Sequence, residues 1–135
     1  MVCLDTNVVI GVLTGRAPHL VARLAAELRL GAPPAIPSIV LFELRHGAAK
    51  RAFPERNLAR FDDFLAATPH ILAFDATDAA EAGEIRAFLE IQGKPIGPYD
   101  VLIAAQVRRR GAALVTTNRR EFERVPGLIV TDWTA

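Results

Sequence analysis

The sequence predicts an α/β fold with a central, mostly parallel sheet of four to five strands and helices on both faces. Two observations lead to this prediction. Short apolar runs alternate with longer segments in which apolar residues recur every three or four positions, as strands alternate with helices in such folds. Polar residues follow directly after two of the apolar runs, at the place where a parallel sheet carries its functional groups.

Apolar spacing and helix-breaking residues define the elements of the first half of the chain. Val2–Leu4 is predicted to be a buried strand, because it is apolar throughout and ends at Asp5. The others are a helix over 18–30 that Gly31 stops, a brief strand over 33–36, a helix that Ser38 caps and that runs to about Lys50, and a helix that Pro54 opens, with Leu58, Phe61, Phe64 and Leu65 on one face.

The second half continues the alternation without a repeat, linker or low-complexity tract. Asp78 and Glu81 predict a capping box at the start of a helix that ends at Gly93. The remaining predicted elements are a strand over 71–74, a helix that Pro98 opens, a strand over 113–116, a helical turn from Asn118 and a strand over 128–130. At 135 residues, we expect residues 1–135 to form one domain.

The composition describes an ordinary globular protein and excludes a disordered chain. Hydrophobic residues make up 51% of the chain and charged residues 23%. The net charge of +1 creates no global field that would indicate a nucleic-acid binder. Nearly all the cations are Arg, with Lys only at Lys50 and Lys94. Arg suits bidentate phosphate contacts, although coding bias explains its excess equally well.

The chain carries one cysteine, Cys3, so it cannot form an internal disulfide. Because Cys3 lies in the first apolar run, we expect it to be a small buried hydrophobe. No basic segment precedes that run, and no apolar run approaches the roughly 20 residues that a bilayer-spanning helix needs. We therefore expect a cytoplasmic protein without a membrane association.

Two aspartates are placed where α/β folds carry functional groups. Asp5 ends the first strand, and Thr6 and Asn7 extend the polar segment, which indicates a polar crevice; capping of the next turn is the alternative. Asp100 lies in the first turn of an apolar helix, where it is expected to need a partner. A favourable interaction with the helix dipole is the alternative for Asp100.

Glu43 lies inside an apolar helical stretch, so it is not expected to be a casual surface residue. Its partner is either an arginine, such as Arg45 or Arg16, or a cation shared with other acids. Because carboxylates gathered at one sheet edge repel one another, a divalent metal is the usual partner for such a group.

Two further patterns are ambiguous. Asn118 follows the strand over 113–116 at the sheet edge of Asp5, but with Glu121 it also forms the pattern of a capped helix start. Glu43 and His46 form a Glu-x-x-His step, but a di-iron bundle needs this step twice, and only one copy is present. We therefore expect His46 to lie on the helix surface or in the crevice.

Taken in order, these motifs resemble those of PIN-domain ribonucleases, in particular the VapC toxins of type II toxin–antitoxin modules. The resemblance covers essentially the whole chain. It depends on residues 4–7, 42–47, 96–100 with 103–106, 114–118 with 121–122, 125–128 and 132–133.

The resemblance implies an endoribonuclease that depends on Mg²⁺ or Mn²⁺, with Asp5, Glu43 and Asp100 as both catalytic and metal-binding residues. It also implies a homodimer and a cognate antitoxin of the VapB kind that blocks the site. Many family members carry a fourth acid shortly after the fourth strand, where this chain has Asn118. Because Asn118 carries no negative charge, this departure weakens the expectation of a second metal ion but not that of a nuclease. Glu121 is a less obvious substitute for the missing acid.

Other residues are candidates for supporting roles in such a reaction. Thr6 and Thr116 are placed to orient the attacking water or a phosphate oxygen, and Asn118 to orient a ligated water. Four arginines are candidates for the RNA backbone, although each is equally an ordinary solvated residue: Arg16, Arg45, Arg119 and Arg120. Base selection is expected from unpaired loop nucleotides, because duplex RNA hides its base edges.

Two alternatives belong to different functional classes. A phosphotransferase of the haloacid-dehalogenase type would use Asp5 as its nucleophile, but the helper Asp expected two residues later is Asn7. A catalytically weakened PIN module would act only by binding its antitoxin and operator complex, and Asn118 keeps that reading open.

Overall fold

The computed structural model describes residues 1–50, 55–67 and 70–133, in which short strands and helices alternate along the chain. In chain order the elements are β1 (Val2–Leu4), α1 (Thr6–Thr14), α2 (Pro18–Arg29), β2 (Ala35–Pro37), α3 (Ser38–Ala49), α4 (Glu55–Ala67), β3 (His70–Leu72), α5 (Ala76–Ile91), α6 (Pro98–Arg109), β4 (Ala113–Val115), α7 (Arg119–Phe122) and β5 (Ile129–Thr131).

The five strands form one parallel sheet in the order β3-β2-β1-β4-β5. The chain first moves outward from β1 through β2 to β3, and it then returns to the other side of β1 to form β4 and β5. This reversal opens a crevice outside the carboxyl ends of β1 and β4, which is where ligands bind in open α/β sheets. The predicted fold class is confirmed.

The central strands of the sheet are apolar because helices cover them. Leu4, Ile36 and Leu114 are fully buried, and α1 and α6 add Val8 and Ile103 to the same core. Cys3 is also fully buried, as predicted, and burial raises the pKa of its thiol to about 11. A thiol that stays protonated at neutral pH is a packing residue.

The starts of three helices differ from the prediction. No helix was predicted directly after Asp5, but α1 begins there and buries Val8 and Val9. Helix α5 begins three residues earlier than predicted, because its capping box is formed by Asp75 and Asp78. Helix α3 starts at Ser38 without a side-chain cap. The predicted start of α4 at Pro54 lies outside the described residues.

Asp78 is the centre of a buried ion network between α5 and α6. Its carboxylate is 0% exposed and accepts from Arg109 Nε at 2.6 Å and from Arg110 Nη1 at 2.9 Å. Burial alone would raise the pKa of Asp78, but the hydrogen bonds from the two guanidinium groups outweigh it and hold that pKa well below its usual range. The network fixes the helix whose first turn carries Asp100.

Gln106 of α6 connects the sheet to α3, the helix that carries Glu43. Its Nε2 donates to the Leu72 carbonyl at 2.7 Å and to Ser38 Oγ at 3.3 Å. Its Oε1 accepts from the Ile39 amide at 3.4 Å. Because Gln106 is fully buried, these bonds set the position of α3 against α6.

Within the described ranges, no single helix is long and apolar enough to cross a membrane. Helices α1 and α2 reach that length and composition only when they are taken together, across a bend of 101°.

Candidate active site

Asp5 lies at the centre of the candidate site because of its place in the fold. It follows β1 and is the N-cap of α1, where its Oδ1 accepts from the Thr6 amide at 2.8 Å. Since β1 is the middle strand, this position opens into the crevice between β1 and β4. The side chain is only 4% exposed, so its carboxylate is held in a defined orientation.

Thr116 holds the second oxygen of Asp5. It follows β4, which runs beside β1, and its hydroxyl donates to Asp5 Oδ2 at 2.7 Å. The same hydroxyl oxygen accepts from the Asn118 amide at 2.9 Å. In this structure the fully buried Thr116 orients a carboxylate. Its predicted contact with a water or phosphate oxygen stays a prediction.

Glu43 reaches the same crevice from α3. Its Oε1 accepts at 2.7 Å from the hydroxyl of Thr6, the first residue of α1, so one hydrogen bond connects two helices. The structure pairs Arg45 elsewhere, 3.8 Å from Asp62 and over the ring of Phe61 at 4.9 Å. The alternative in which Arg45 neutralises Glu43 is therefore not the arrangement found.

Glu121 of α7 is the residue whose importance sequence reasoning underestimated. Asn118 is the N-cap residue of α7, as the capped-helix reading predicts, but its side chain makes no cap hydrogen bond. Asn118 Nδ2 instead donates to Glu121 Oε2 at 2.6 Å, and the Gly97 amide donates to Glu121 Oε1 at 2.7 Å. The sequence signal that could have identified Glu121 is an acid three residues after Asn118 at the sheet edge. The same spacing is typical of a capping box, so the signal is ambiguous.

Asp100 lies beside Glu121 because Gly97, in the turn before α6, has no side chain. A Cβ at Gly97 would lie 3.3 Å from Asp100 Oδ2 and 3.7 Å from Glu121 Oε1. The backbone of Gly97 is in an ordinary extended conformation, with φ −56° and ψ 146°. Glycine therefore matters here for space and not for backbone freedom.

The four carboxylates disturb one another electrostatically. Burial, then the negative charges of Asp5, Glu121 and Glu43, raise the pKa of Asp100 to about 7. Burial also raises the pKa of Asp5, although hydrogen bonds from Thr116 and Thr6 oppose the shift. The pKa of Glu121 is lowered, first by the Gly97 amide, and it is the ionised partner in a hydrogen bond with Asp100.

The chemistry of this donor set suits Mg²⁺ or Mn²⁺. Every candidate ligand is a carboxylate oxygen, which such hard cations prefer. In the part of the chain that the structure describes, no three His, Cys, Asp or Glu side chains are already grouped for an ion; hydroxyls and amides hold the carboxylates instead. A dication would relieve the repulsion that raises the pKa of Asp100.

The four arginines predicted for RNA binding lie in different settings. Arg16 is exposed, and Arg45 has the contacts given above. Arg119 pairs with Glu123 at 3.0 Å and with Asp132 at 3.1 Å. Arg120 lines a surface cavity of about 360 Å³ that Lys94 and Arg124 also line.

Comparison with known proteins places this geometry in a family context. Residues 2–128 match the PIN domain family. The chain is 43% identical to the tRNA(fMet)-specific endonuclease VapC of Shigella flexneri over 130 residues, which is 96% of each chain. It is 42% identical to ribonuclease VapC2 of Haemophilus influenzae over the same share of both chains.

Solved structures agree with these matches. The chain resembles a chain of the VapBC2 complex of Rickettsia felis bound to a promoter DNA fragment, with a TM-score of 0.87 and 35% identity, covering 98% of this chain and 99% of the other. It also resembles a chain of DNA-bound VapBC from Salmonella typhimurium, with a TM-score of 0.86 and 40% identity, covering 98% and 97%.

Proposed function

The chain belongs to the PIN domain family, and we propose that it acts as an endoribonuclease toxin of a type II toxin–antitoxin module. The observation that carries this proposal is that four acidic side chains from different elements, Asp5, Glu43, Asp100 and Glu121, are close enough to influence one another electrostatically at the crevice. Burial, and then the negative charges of the other three, raise the pKa of Asp100 to about 7. A folded protein keeps such repulsion where function needs it.

We propose that Asp5, Glu43, Asp100 and Glu121 hold Mg²⁺ or Mn²⁺. When bound, such a cation supplies positive charge at the scissile phosphate and acidifies a water. The protein's own part is to hold the oxygens in place. Thr116 and the Thr6 amide orient Asp5, and the Thr6 hydroxyl orients Glu43.

Glu121 fills the place that the sequence left open at Asn118. The Asn118 side chain supplies a hydrogen bond to that carboxylate, so the pair provides a negative charge together with its orientation. This removes the main reason for the reading as a weakened, purely binding module. The phosphotransferase reading gains no support either, because the relatives are ribonucleases.

The relatives suggest the substrate class. The Shigella flexneri relative is named for its action on tRNA(fMet), and we propose initiator tRNA as the first substrate to test. The cavity that Lys94, Arg120 and Arg124 line provides cations for the RNA backbone next to α7. RNA contacts by Arg16, Arg45 and Arg119 stay predictions.

We propose that a VapB-type antitoxin neutralises the protein. The two structural relatives described above are VapBC complexes bound to DNA, which makes promoter binding by the corresponding complex of this chain a further expectation. A homodimer, a cytoplasmic location and a single domain over residues 1–135 stay predictions.

The test compares the parent protein with Asp5→Asn. Asn keeps the N-cap of α1, so the variant is expected to fold while losing the negative charge. Incubation with initiator tRNA and Mg²⁺ or Mn²⁺ should give one or few defined RNA ends with the parent protein, and at least roughly 100-fold slower cleavage with the variant. Elongator methionine tRNA is the matched control for substrate choice.

Equal cleavage by parent and variant would mean that the acidic cluster does not act on RNA. Cleavage that continues in the presence of EDTA would reject the proposed dependence on a metal ion. Cleavage of initiator and elongator tRNA at the same rate would leave the nuclease in place and reject the proposed substrate.

A further inference from the structure

Two half-exposed aromatic rings lie on the helices that carry the candidate carboxylates. Phe42 of α3 is 47% exposed, and Tyr99 of α6 is 48% exposed. Their ring centroids are 5.3 Å apart, and the rings are tilted by 55°. His46 extends this surface, because its ring is nearly parallel to that of Phe42, at 7°, with centroids 6.2 Å apart. We call these three residues the aromatic shelf.

The aromatic shelf is adjacent to the candidate active site in the chain itself. Phe42 directly precedes Glu43, and Tyr99 directly precedes Asp100. The ring contact therefore joins α3 and α6 next to two of the carboxylates. His46 is exposed, as the sequence predicts, and stacks on Phe42, one helical turn away on the same face.

Core packing does not account for these rings. The ring contact leaves about half of each large apolar side chain in water, although other aromatic residues of the chain, such as Phe61 and Phe122, are fully buried. Exposed rings beside a polar crevice are typical of surfaces that bind a flat partner by stacking.

We propose that the aromatic shelf is a subsite that stacks an unpaired base of the RNA substrate, next to the phosphate at the carboxylate cluster. This inference rests on the proposed ribonuclease function. Near four carboxylates, the phosphates of RNA are repelled unless a cation is present, whereas a base carries no charge and offers a π-face. Stacking is therefore the contact with RNA that the charge of the site does not oppose.

The position and chemistry of the shelf favour RNA over a protein partner as the occupant. Phe42 and Tyr99 each lie one residue before a candidate carboxylate, so an RNA strand whose phosphate reaches the carboxylate cluster passes close to the two rings. Aromatic surfaces accept any base, because every base can stack. The shelf therefore requires that the nucleotide beside the cleaved bond be unpaired, and it adds affinity without reading the edge of the base.

The binding test uses full-length protein with Asp5→Asn, which prevents cleavage. Single-stranded RNA oligonucleotides, each with one 2-aminopurine, are titrated in the presence of Mg²⁺. At the position that occupies the shelf, stacking should quench the 2-aminopurine fluorescence. Adding Phe42→Leu and Tyr99→Leu together should abolish the quenching and weaken binding roughly 10- to 100-fold.

Two comparison variants make the result specific. Ile91 of α5 is 81% exposed, so Ile91→Ala removes an exposed apolar side chain from a helix that carries none of the four carboxylates, at a position outside the cavity that Lys94, Arg120 and Arg124 line. It should leave the quenching unchanged. Tyr99→Phe keeps the ring and should also retain it. Thermal unfolding of every variant identifies any loss that arises from misfolding.

Cleavage kinetics give an independent readout when the ring substitutions are made in protein that keeps Asp5. Removing the shelf rings should raise KM for RNA much more than it lowers kcat, because stacking binds substrate and transition state alike. Quenching that survives both Leu substitutions in folded protein would overturn the proposal. An Ile91→Ala effect as large as theirs would also overturn it.

The two proposals fail in different ways. If the parent protein cleaves no RNA at all, the proposed function is wrong. If cleavage is normal but the position-specific quenching is absent, only the aromatic shelf is wrong.

Discussion

Replacement of Asp100 by Asn tests the electrostatic reasoning most directly. In the folded protein the pKa of Asp100 is raised to about 7, first by burial and then by the charges of Asp5, Glu121 and Glu43. The ordinary value is 3.8. Between about pH 4 and pH 7 the folded carboxyl therefore holds a proton that the unfolded chain has released. The folded state loses stability as pH rises through this window.

The size of the effect follows from the shift. A difference of about 3 pH units corresponds to roughly 4 kcal/mol of unfolding free energy. Because Asp100 is only half buried, solvent screening reduces this figure, and we expect about 1–2 kcal/mol. Asn cannot ionise, so Asp100→Asn should be more stable than the parent by that amount at pH 8, while the RNA-cleaving activity is lost.

Urea unfolding in EDTA, followed by circular dichroism between pH 4 and pH 8, measures the difference. The gain should shrink towards zero at pH 4, close to the ordinary pKa of 3.8, where the folded carboxyl is protonated and that of the unfolded chain is only partly ionised. Asp63→Asn, on the exposed surface of α4, is the control and should change stability by less than about 0.5 kcal/mol. Saturating Mg²⁺ should stabilise the parent and narrow or reverse the difference in unfolding free energy between the parent and Asp100→Asn.

A parent protein that is more stable than Asp100→Asn at pH 8 in EDTA would refute the reasoning. The carboxylates would then not repel one another in the folded protein. An equal gain at pH 4 and pH 8 would also refute it, because the gain would arise from packing and not from charge.

Substitutions at three further positions separate positioning from stability. Thr116→Val should lower the unfolding free energy by about 1–3 kcal/mol and slow cleavage, because it removes the hydroxyl that holds Asp5. Thr116→Ser keeps that hydroxyl and should retain the parent's stability and cleavage rate. Urea unfolding measures the stability, and initial rates measure the cleavage. Gly97→Ala should leave thermal stability nearly unchanged but reduce kcat roughly 10-fold, because its Cβ would press on the Asp100 carboxylate at 3.3 Å. Asp78→Ala should lower the unfolding free energy by about 1–3 kcal/mol at pH 7, because it removes the buried carboxylate that accepts hydrogen bonds from Arg109 and Arg110. This loss should diminish in acid, because the lowered pKa of Asp78 contributes its stability in full above the unfolded pKa of about 4 and loses it progressively as the pH falls below that value. Equal stability of variant and parent at pH 7 would contradict the network.

The fold class could be predicted from the sequence because strand and helix periodicities are local. The apolar run of β1 and the apolar residues of α6 identify buried elements without knowledge of their neighbours. The same holds for Asp5 and Asp100, since each follows from its place relative to one element. Boundaries were less certain where two starts compete, as at Asp75 and Asp78, both of which are good caps.

The sequence by itself determined that this is an α/β chain with acids at a sheet edge and in two helices. The tertiary structure decided which side chains meet. Glu121 and Gly97 are 24 residues apart, so no periodicity relates them, and only the packing of α7 against the turn before α6 brings that amide to that carboxylate. The pairing of Thr116 with Asp5, 111 residues apart, likewise depends on the strand order. Hydrogen bonds and charges act through distance in space, and for residues so far apart in the chain the fold alone sets that distance.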